Sequence, residues 1–248
     1  MHFLLSAAHG RGRIRCLLLS SLLVLASASV NPARADGVSG AITNGQSKTG
    51  TVTGNGHDDY SFTASRGATF IVSLGETGNH DTHFVPQLEV IPPGAKAGPY
   101  EARPYYTNRR VVNAAAGKWT LRISRLDSND SSGGTYALKL AVAGGAATAI
   151  TPGQDKSGSN TRGDMDVYTF TGTSGHTARV TLNPTSGNHF VPEVHVFGPD
   201  GALANGMWCA ARCSFDVPTT NGTYTVTALK HDDHDVTGTY TLSVSNAN

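Results

Sequence analysis

The stretch Gly163-Asp-Met-Asp-Val-Tyr-Thr-Phe170, running on through Thr171 to Leu182, decides the fold, because the chain carries it twice. Its counterpart starts at Asn55, passes through His57-Asp-Asp-Tyr-Ser-Phe62 and ends at Leu74. Tyr60 matches Tyr168 and Phe62 matches Phe170 at an offset of 108 (168 − 60). Gly67 and Gly175, Val72 and Val180, Leu74 and Leu182 keep the same offset. A repeat of about a hundred residues is the size of a whole domain rather than of a solenoid unit. Two copies of one module, residues 41–143 and 149–248 joined by a short linker at 144–148, therefore account for most of the chain.

Each copy is patterned with period two. Tyr60 and Phe62 alternate with Ser61 and Thr63, and Phe70, Val72 and Leu74 alternate with Ile71 and Ser73. Trp119, Leu121 and Ile123 repeat the pattern, as do Tyr136, Leu138, Leu140 and Val142. The second copy returns it at Val194/Val196, Tyr224/Val226 and Tyr240/Leu242/Val244. Alternation puts one set of side chains on one face, as a half-buried strand requires. Turn signals separate the runs, among them Ser65-Arg66-Gly67, Pro92-Pro93-Gly94 and Ser132-Gly133-Gly134. No capped helical pattern intervenes, so the sequence predicts an all-β chain of two tandem antiparallel β-sandwiches. The offset shrinks to 104 (240 − 136) by Tyr240, and turns are where such length changes belong.

Residues 1–35 read as a signal peptide. Arg11, Arg13 and Arg15 precede an apolar run from Cys16 to Val30, and Ala33-Arg34-Ala35 has the small-x-small form of a cleavage site. Of the 19 Lys and Arg this segment holds four, and of the 18 Asp and Glu it holds none. The rest of the chain carries 15 − 18 = −3, with no basic field for nucleic acid or anionic lipid. The expected product is exported to the periplasm or beyond, with no membrane insertion after cleavage.

The repeated motif resembles a known family. Asp164 to Phe170, then Val194-His-Val-Phe-Gly-Pro-Asp-Gly201, Gly222-Thr-Tyr-Thr-Val226 and Gly238-Thr-Tyr-Thr-Leu-Ser-Val244 are similar to the bacterial pre-peptidase C-terminal domain. The second copy matches from end to end and the first has a weaker middle. The resemblance implies a jelly-roll-like sandwich on an exported protein, a module that usually follows a secreted peptidase; some relatives bind collagen or polysaccharide and carry calcium. No peptidase is expected ahead of these copies, and the acidic Asn-containing segment that helps hold calcium in relatives is missing from residues 41–48 and 149–156.

Four sets of residues are candidates for chemistry. Asp58, Asp59, Asp164 and Asp166, just ahead of the Tyr-x-Phe strands, could hold calcium weakly, although calcium wants six to eight oxygens from several segments and such aspartates more often close turns. His80-Asp-Thr-His83 and His231-Asp-Asp-His234 each space two imidazoles for a transition metal, the basis of a metal-dependent enzyme as the rival class. Cys209 and Cys213 are close enough to pair in an oxidising compartment. No nucleophile elbow, phosphate loop or metalloprotease helix is present in the sequence. The fourth set is aromatic. Tyr100, Tyr105, Tyr106 and Arg110 in the first copy, and Trp208 and Arg212 in the second, stand outside the alternating core set, and Tyr, Trp and Arg are the residues enriched at binding hot spots. The expected role is a non-catalytic binding or accessory protein whose partner is an extracellular protein, a polysaccharide or a secreted hydrolase. A purely structural envelope component is a third reading.

Overall fold

The computed structural model describes residues 37–78, 84–102, 106–126, 133–186, 190–231 and 237–247. The expected signal peptide lies outside them. The described part of the first copy forms β1 (Ser39–Ala41), β2 (Ser47–Val52), β3 (Asp58–Ala64), β4 (Phe70–Glu76), β5 (Pro86–Ile91), β6 (Tyr100–Ala102), β7 (Tyr106–Val111), β8 (Gly117–Arg125) and β9 (Gly134–Val142). The second forms β10 (Thr148–Ala149), β11 (Asp155–Asn160), β12 (Met165–Gly172), β13 (Thr177–Ser186), β14 (Pro192–Phe197), β15 (Leu203–Trp208), β16 (Cys213–Pro218), β17 (Gly222–Lys230) and β18 (Gly238–Ala247).

In each copy one sheet has five strands and the other four. The orders are β1-β3-β8-β5-β6 and β2-β9-β4-β7 in the first copy, β10-β12-β17-β14-β15 and β11-β18-β13-β16 in the second. Within each copy the antiparallel pairs nest: β5 with β6, β4 with β7, β3 with β8, β2 with β9, and likewise from β14 with β15 out to β11 with β18. That is one long folded ribbon wrapped into two sheets, the jelly-roll topology. The strands β1 and β10 are short parallel additions beside β3 and β12.

The alternation read from sequence fills both cores. Tyr60, Phe70, Leu74, Trp119, Leu121, Tyr136 and Leu138 close the first; Tyr168, Val180, Leu182, Val194, Val226, Tyr240 and Leu242 close the second. The motif's tyrosines do one further thing. Tyr60 and Tyr136 meet hydroxyl to hydroxyl at 3.0 Å, and Tyr136 donates to Asp58. Tyr168 and Tyr240 repeat this at 3.0 Å, with Tyr240 donating to Asp166. Gly50 and Gly158 lie against these clusters; a Cβ on Gly50 would sit 2.4 Å from the Tyr136 hydroxyl, and one on Gly158 equally close to that of Tyr240. The Asp-x-Tyr spacing of the motif is thus a polar triad that ties β3 to β9 and β12 to β18, its aspartates met also by the Val38 N–H and the Asn160 amide, as burial demands.

A third apolar layer joins the copies. Ile71 and Ala141, on the outward side of β4 and β9, cluster with Met165, Phe197 and Leu229, on the outward side of β12, β14 and β17. The four-stranded sheet of the first copy therefore packs on the five-stranded sheet of the second. For this reason β4 is buried at every position rather than at alternate ones, and β17 is buried from Tyr224 to Lys230. Polar contacts rim the layer: Lys139 Nζ lies 2.9 Å from Asp164 Oδ1, and the buried pair Arg162–Glu76 closes to 3.9 Å. At Gly75 and Gly163 the two backbones touch, since a Cβ on Gly75 would fall 2.3 Å from the Gly163 nitrogen. The segment read as a linker is held from both sides. Gly144 N–H donates to Thr225 Oγ1, and Asn44 Nδ2 donates to the Ala146 carbonyl.

Candidate functional site

The aromatic candidates resolve onto sheet edges. Tyr100 lies on β6 and Trp208 on β15, the edge strands of the two five-stranded sheets. Both are more than half exposed, Tyr100 at 63% and Trp208 at 58%. Each stands directly across from a glutamate of the neighbouring strand, Glu89 for Tyr100 and Glu193 for Trp208. The copies therefore place one large exposed ring beside one carboxylate at corresponding edges.

Beyond the ring the surroundings diverge. In the first copy, Tyr100, Glu89, Arg122 and Asp59 form one row across the outward face of the sheet. Arg122 grips Asp59 through two hydrogen bonds of 2.9 and 3.0 Å, and its guanidinium lies 3.8 Å from Glu89. In the second copy, Glu193 lies between two imidazoles: His195 Nε2 at 2.9 Å and His231 Nδ1 at 3.0 Å. His231 stacks on Trp208 with centroids 4.8 Å apart and planes within 4°. One face of the indole is thus fixed by a ring that is itself fixed by a carboxylate. Burial pushes the Glu193 carboxyl up, but the hydrogen bonds and charge of His195 and His231 outweigh it and hold the group below its ordinary value. His195 and His231 were visible in the sequence as two of many histidines. Their convergence on Glu193 was not, because it joins β14 to the residue after β17.

Not all the aromatic candidates share a site. Arg110 is exposed on β7, across from Ile71 within the four-stranded sheet, and so is separated from Tyr100 in the five-stranded one. Tyr105 lies outside the described residues; Tyr106 begins β7 opposite Gly75, and its side chain lies outside them too. Arg212 is exposed in the loop that the Cys209–Cys213 disulfide closes right after Trp208. Sequence reading passed over Leu203 and Met207, which are exposed on β15 beside Trp208. Their signal was a six-residue run, Leu203 to Trp208, without a charge.

The four aspartates each have a protein partner. Asp58 accepts from Tyr136 and from the Val38 N–H, Asp59 from Arg122, Asp164 from Lys139 and Asp166 from Tyr240 and Asn160. Burial, ahead of the opposing Tyr240 hydrogen bond, holds the Asp166 carboxyl above its usual range. Among the described residues no group of three His, Cys, Asp or Glu side chains is arranged to hold a metal ion. The pairs His80/His83 and His231/His234 each place at least one member outside the described residues.

Comparison with known proteins adds the following. No protein-family model matches the chain. No curated protein matches it. Among solved structures, PliG of Aeromonas hydrophila, a periplasmic inhibitor of g-type lysozyme, is similar to 44% of this chain over 99% of its own length, at 18% identity and a TM-score of 0.36. The pre-peptidase C-terminal domain of a Bacillus anthracis collagenase is similar to 43% of this chain over 98% of its own, at 16% identity and a TM-score of 0.33. The PliG of Salmonella Typhimurium gives 43% and 98%, at 16% identity and a TM-score of 0.32.

Proposed function

We propose that the chain is an exported, non-catalytic binding or accessory module that contacts an extracellular protein or polysaccharide, or supports a separate secreted hydrolase. The observation that carries this reading is the pair of exposed rings, Tyr100 and Trp208, on corresponding edge strands. A large exposed aromatic beside a carboxylate offers a flat apolar surface and a hydrogen-bond acceptor together, and it loses little freedom on binding because it has only two side-chain torsions. Trp208 is the stronger of the two anchors. Its indole is already immobilised on His231, and the Arg212 guanidinium follows it within the disulfide-closed loop. Calcium enters this reading only as a weak, stabilising ligand near Asp58, Asp59, Asp164 and Asp166.

The test is a pull-down by the full chain on insoluble polysaccharide, on collagen and on immobilised g-type lysozyme, comparing wild type with Tyr100→Ala and Trp208→Ala. The expected result is retention of the wild type on one of these supports, with Trp208→Ala reducing it most and the Tm nearly unchanged. A large fall in Tm with retention untouched would make both rings structural.

A further inference from the structure

Eight edge strands flank the four described sheets, and seven are guarded by shortness or by charge. Three are only two or three residues long: β1, β10 and β6. The remaining four carry charge: Lys48 on β2, Arg109 and Arg110 on β7, Asp155 and Lys156 on β11, Asp216 together with Pro218 on β16. The exception is β15, whose bulge lies near its start, between Leu203 and Asn205, and leaves Asn205 to Trp208 in regular register. It runs six residues, Leu-Ala-Asn-Gly-Met-Trp, with no charge and no proline. It also holds three of the six large apolar side chains exposed among the described residues: Leu203, Met207 and Trp208.

Its backbone points the right way. Cys209 N–H donates to the Pro192 carbonyl of β14, so position 209 faces inward along the ladder. By alternation Met207 also faces β14, and Gly206 and Trp208 turn their N–H and C=O groups to the outside. The Gly206 N–H is met there by the side chain of its neighbour, Asn205 Oδ1, at 2.8 Å, and the Nδ2 of that amide donates to the Asp216 carbonyl of β16 at 3.2 Å. A row of outward main-chain donors and acceptors is complemented by another extended main chain, and side-chain pockets on alternate residues then give selectivity.

We infer that β15 is a docking strand, to which an extended, apolar-rich segment of a partner protein adds as a further strand of the second copy's five-stranded sheet, with Trp208 and Leu203 covering its side chains. This rests on the binding-module reading and names its partner class as protein. A second copy of this chain is the weaker occupant. Pairing β15 with itself gives six residues a side, against the roughly 20–30 of a stable interface. A partner segment is not limited to those six residues and is free to continue past the strand over the exposed Trp208 ring.

A library of random twelve-residue peptides displayed on phage, selected on the intact full chain, tests this. The best peptide is then made in two forms, natural and with alternate backbone amides N-methylated. The expected result is that N-methylation and Met207→Lys each weaken binding at least ten-fold, and that peptide slows hydrogen exchange at the Gly206 and Trp208 amides. No enrichment over the Met207→Lys chain, or equal binding of the methylated peptide, would overturn the inference. So would concentration-dependent dimers that protect the same amides, which would make the occupant a second copy. Trp208→Ala separates the two readings. Binding that survives it yet stays sensitive to N-methylation keeps the docking strand and removes the aromatic anchor. Binding lost with Trp208 yet tolerant of N-methylation does the reverse.

Discussion

Ile71 and Arg179 occupy the same place in the two copies and meet opposite surroundings. Each is on the outward side of the four-stranded sheet, one residue after a buried core position. Ile71 pairs with Ala141 and is sealed under the second copy. Arg179 pairs with Ser245 and is exposed to solvent, bound to Asp216 by hydrogen bonds of 2.8 and 2.9 Å. The five-stranded sheets show the inverse exchange. Asp59 and Ser124 on the first copy's outward face become Val167 and Leu229 on the second. One duplicated module has thus been made apolar on one face in one copy and on the other face in the other. The faces that meet are the two altered ones. Cores are shared between copies because the fold requires them; faces differ because only one of each kind is covered.

Moving a residue between copies should give asymmetric results. Ile71→Arg puts a charge into the layer between the sheets, where its cross-strand partners are Arg110 and Ala141, and should cost about 3–5 kcal/mol, read by urea denaturation. Arg179→Ile, the reverse exchange, should leave the Tm nearly unchanged. Equal effects would mean that the layer is not sealed. Leu229→Ala should follow at about 2–4 kcal/mol, from lost transfer energy plus a cavity, whereas its counterpart Ser124→Ala should be almost silent.

The buried triads give the next comparison. Tyr136→Phe leaves Asp58 buried without its phenol donor and should cost about 1–3 kcal/mol. Tyr240→Phe should cost less, because Asp166 Oδ2 keeps its bond from Asn160, whereas Tyr136 donates to Asp58 Oδ2 and the remaining Val38 N–H reaches only Oδ1. Differential unfolding of the two variants at one pH decides the order.

Glu193 supplies a pH prediction with a definite sign. Its folded value lies below its ordinary one, so its stabilisation is present above the unfolded value of about 4.3 and is lost as pH falls through the lower folded value. The deficit of Glu193→Gln relative to wild type should be present from about pH 5 upward and shrink by pH 3. A deficit independent of pH would mean that packing, not charge, is what the variant removes. Smallest of all, replacing Cys209 and Cys213 by serine opens a very short loop and should cost about 2 kcal/mol or less by chain-entropy reasoning. Millimolar calcium should raise the Tm only slightly, and a large rise would reveal a built site.

Much of the fold was legible because both signals were local. Period two assigned strand faces, and the repeated Asp-x-Tyr-x-Phe showed two modules. The layer between them was not legible, although its residues were in view. Ile71 read as the outward member of an alternating strand, and only its comparison with Arg179 shows that an apolar residue stands where the other copy has a charge. Trp208 was legible as a ring outside the core pattern. Its support was not, because His231 follows β17 and only the sheet register brings it to Glu193 and His195 on β14. Arg110 was grouped with Tyr100 by nearness in sequence, and the ribbon separates them because β6 and β7 belong to different sheets.

The central claim is that the copies are two complete cores joined by a third apolar layer into one cooperative body. Scanning calorimetry on the chain without residues 1–35, beside fragments cut at Gly145, tests it most directly. The account predicts β-rich fragments that each melt below the intact protein, and one transition for the intact protein whose calorimetric and van't Hoff enthalpies agree. Two transitions in the intact protein at the temperatures of the separate fragments would contradict it.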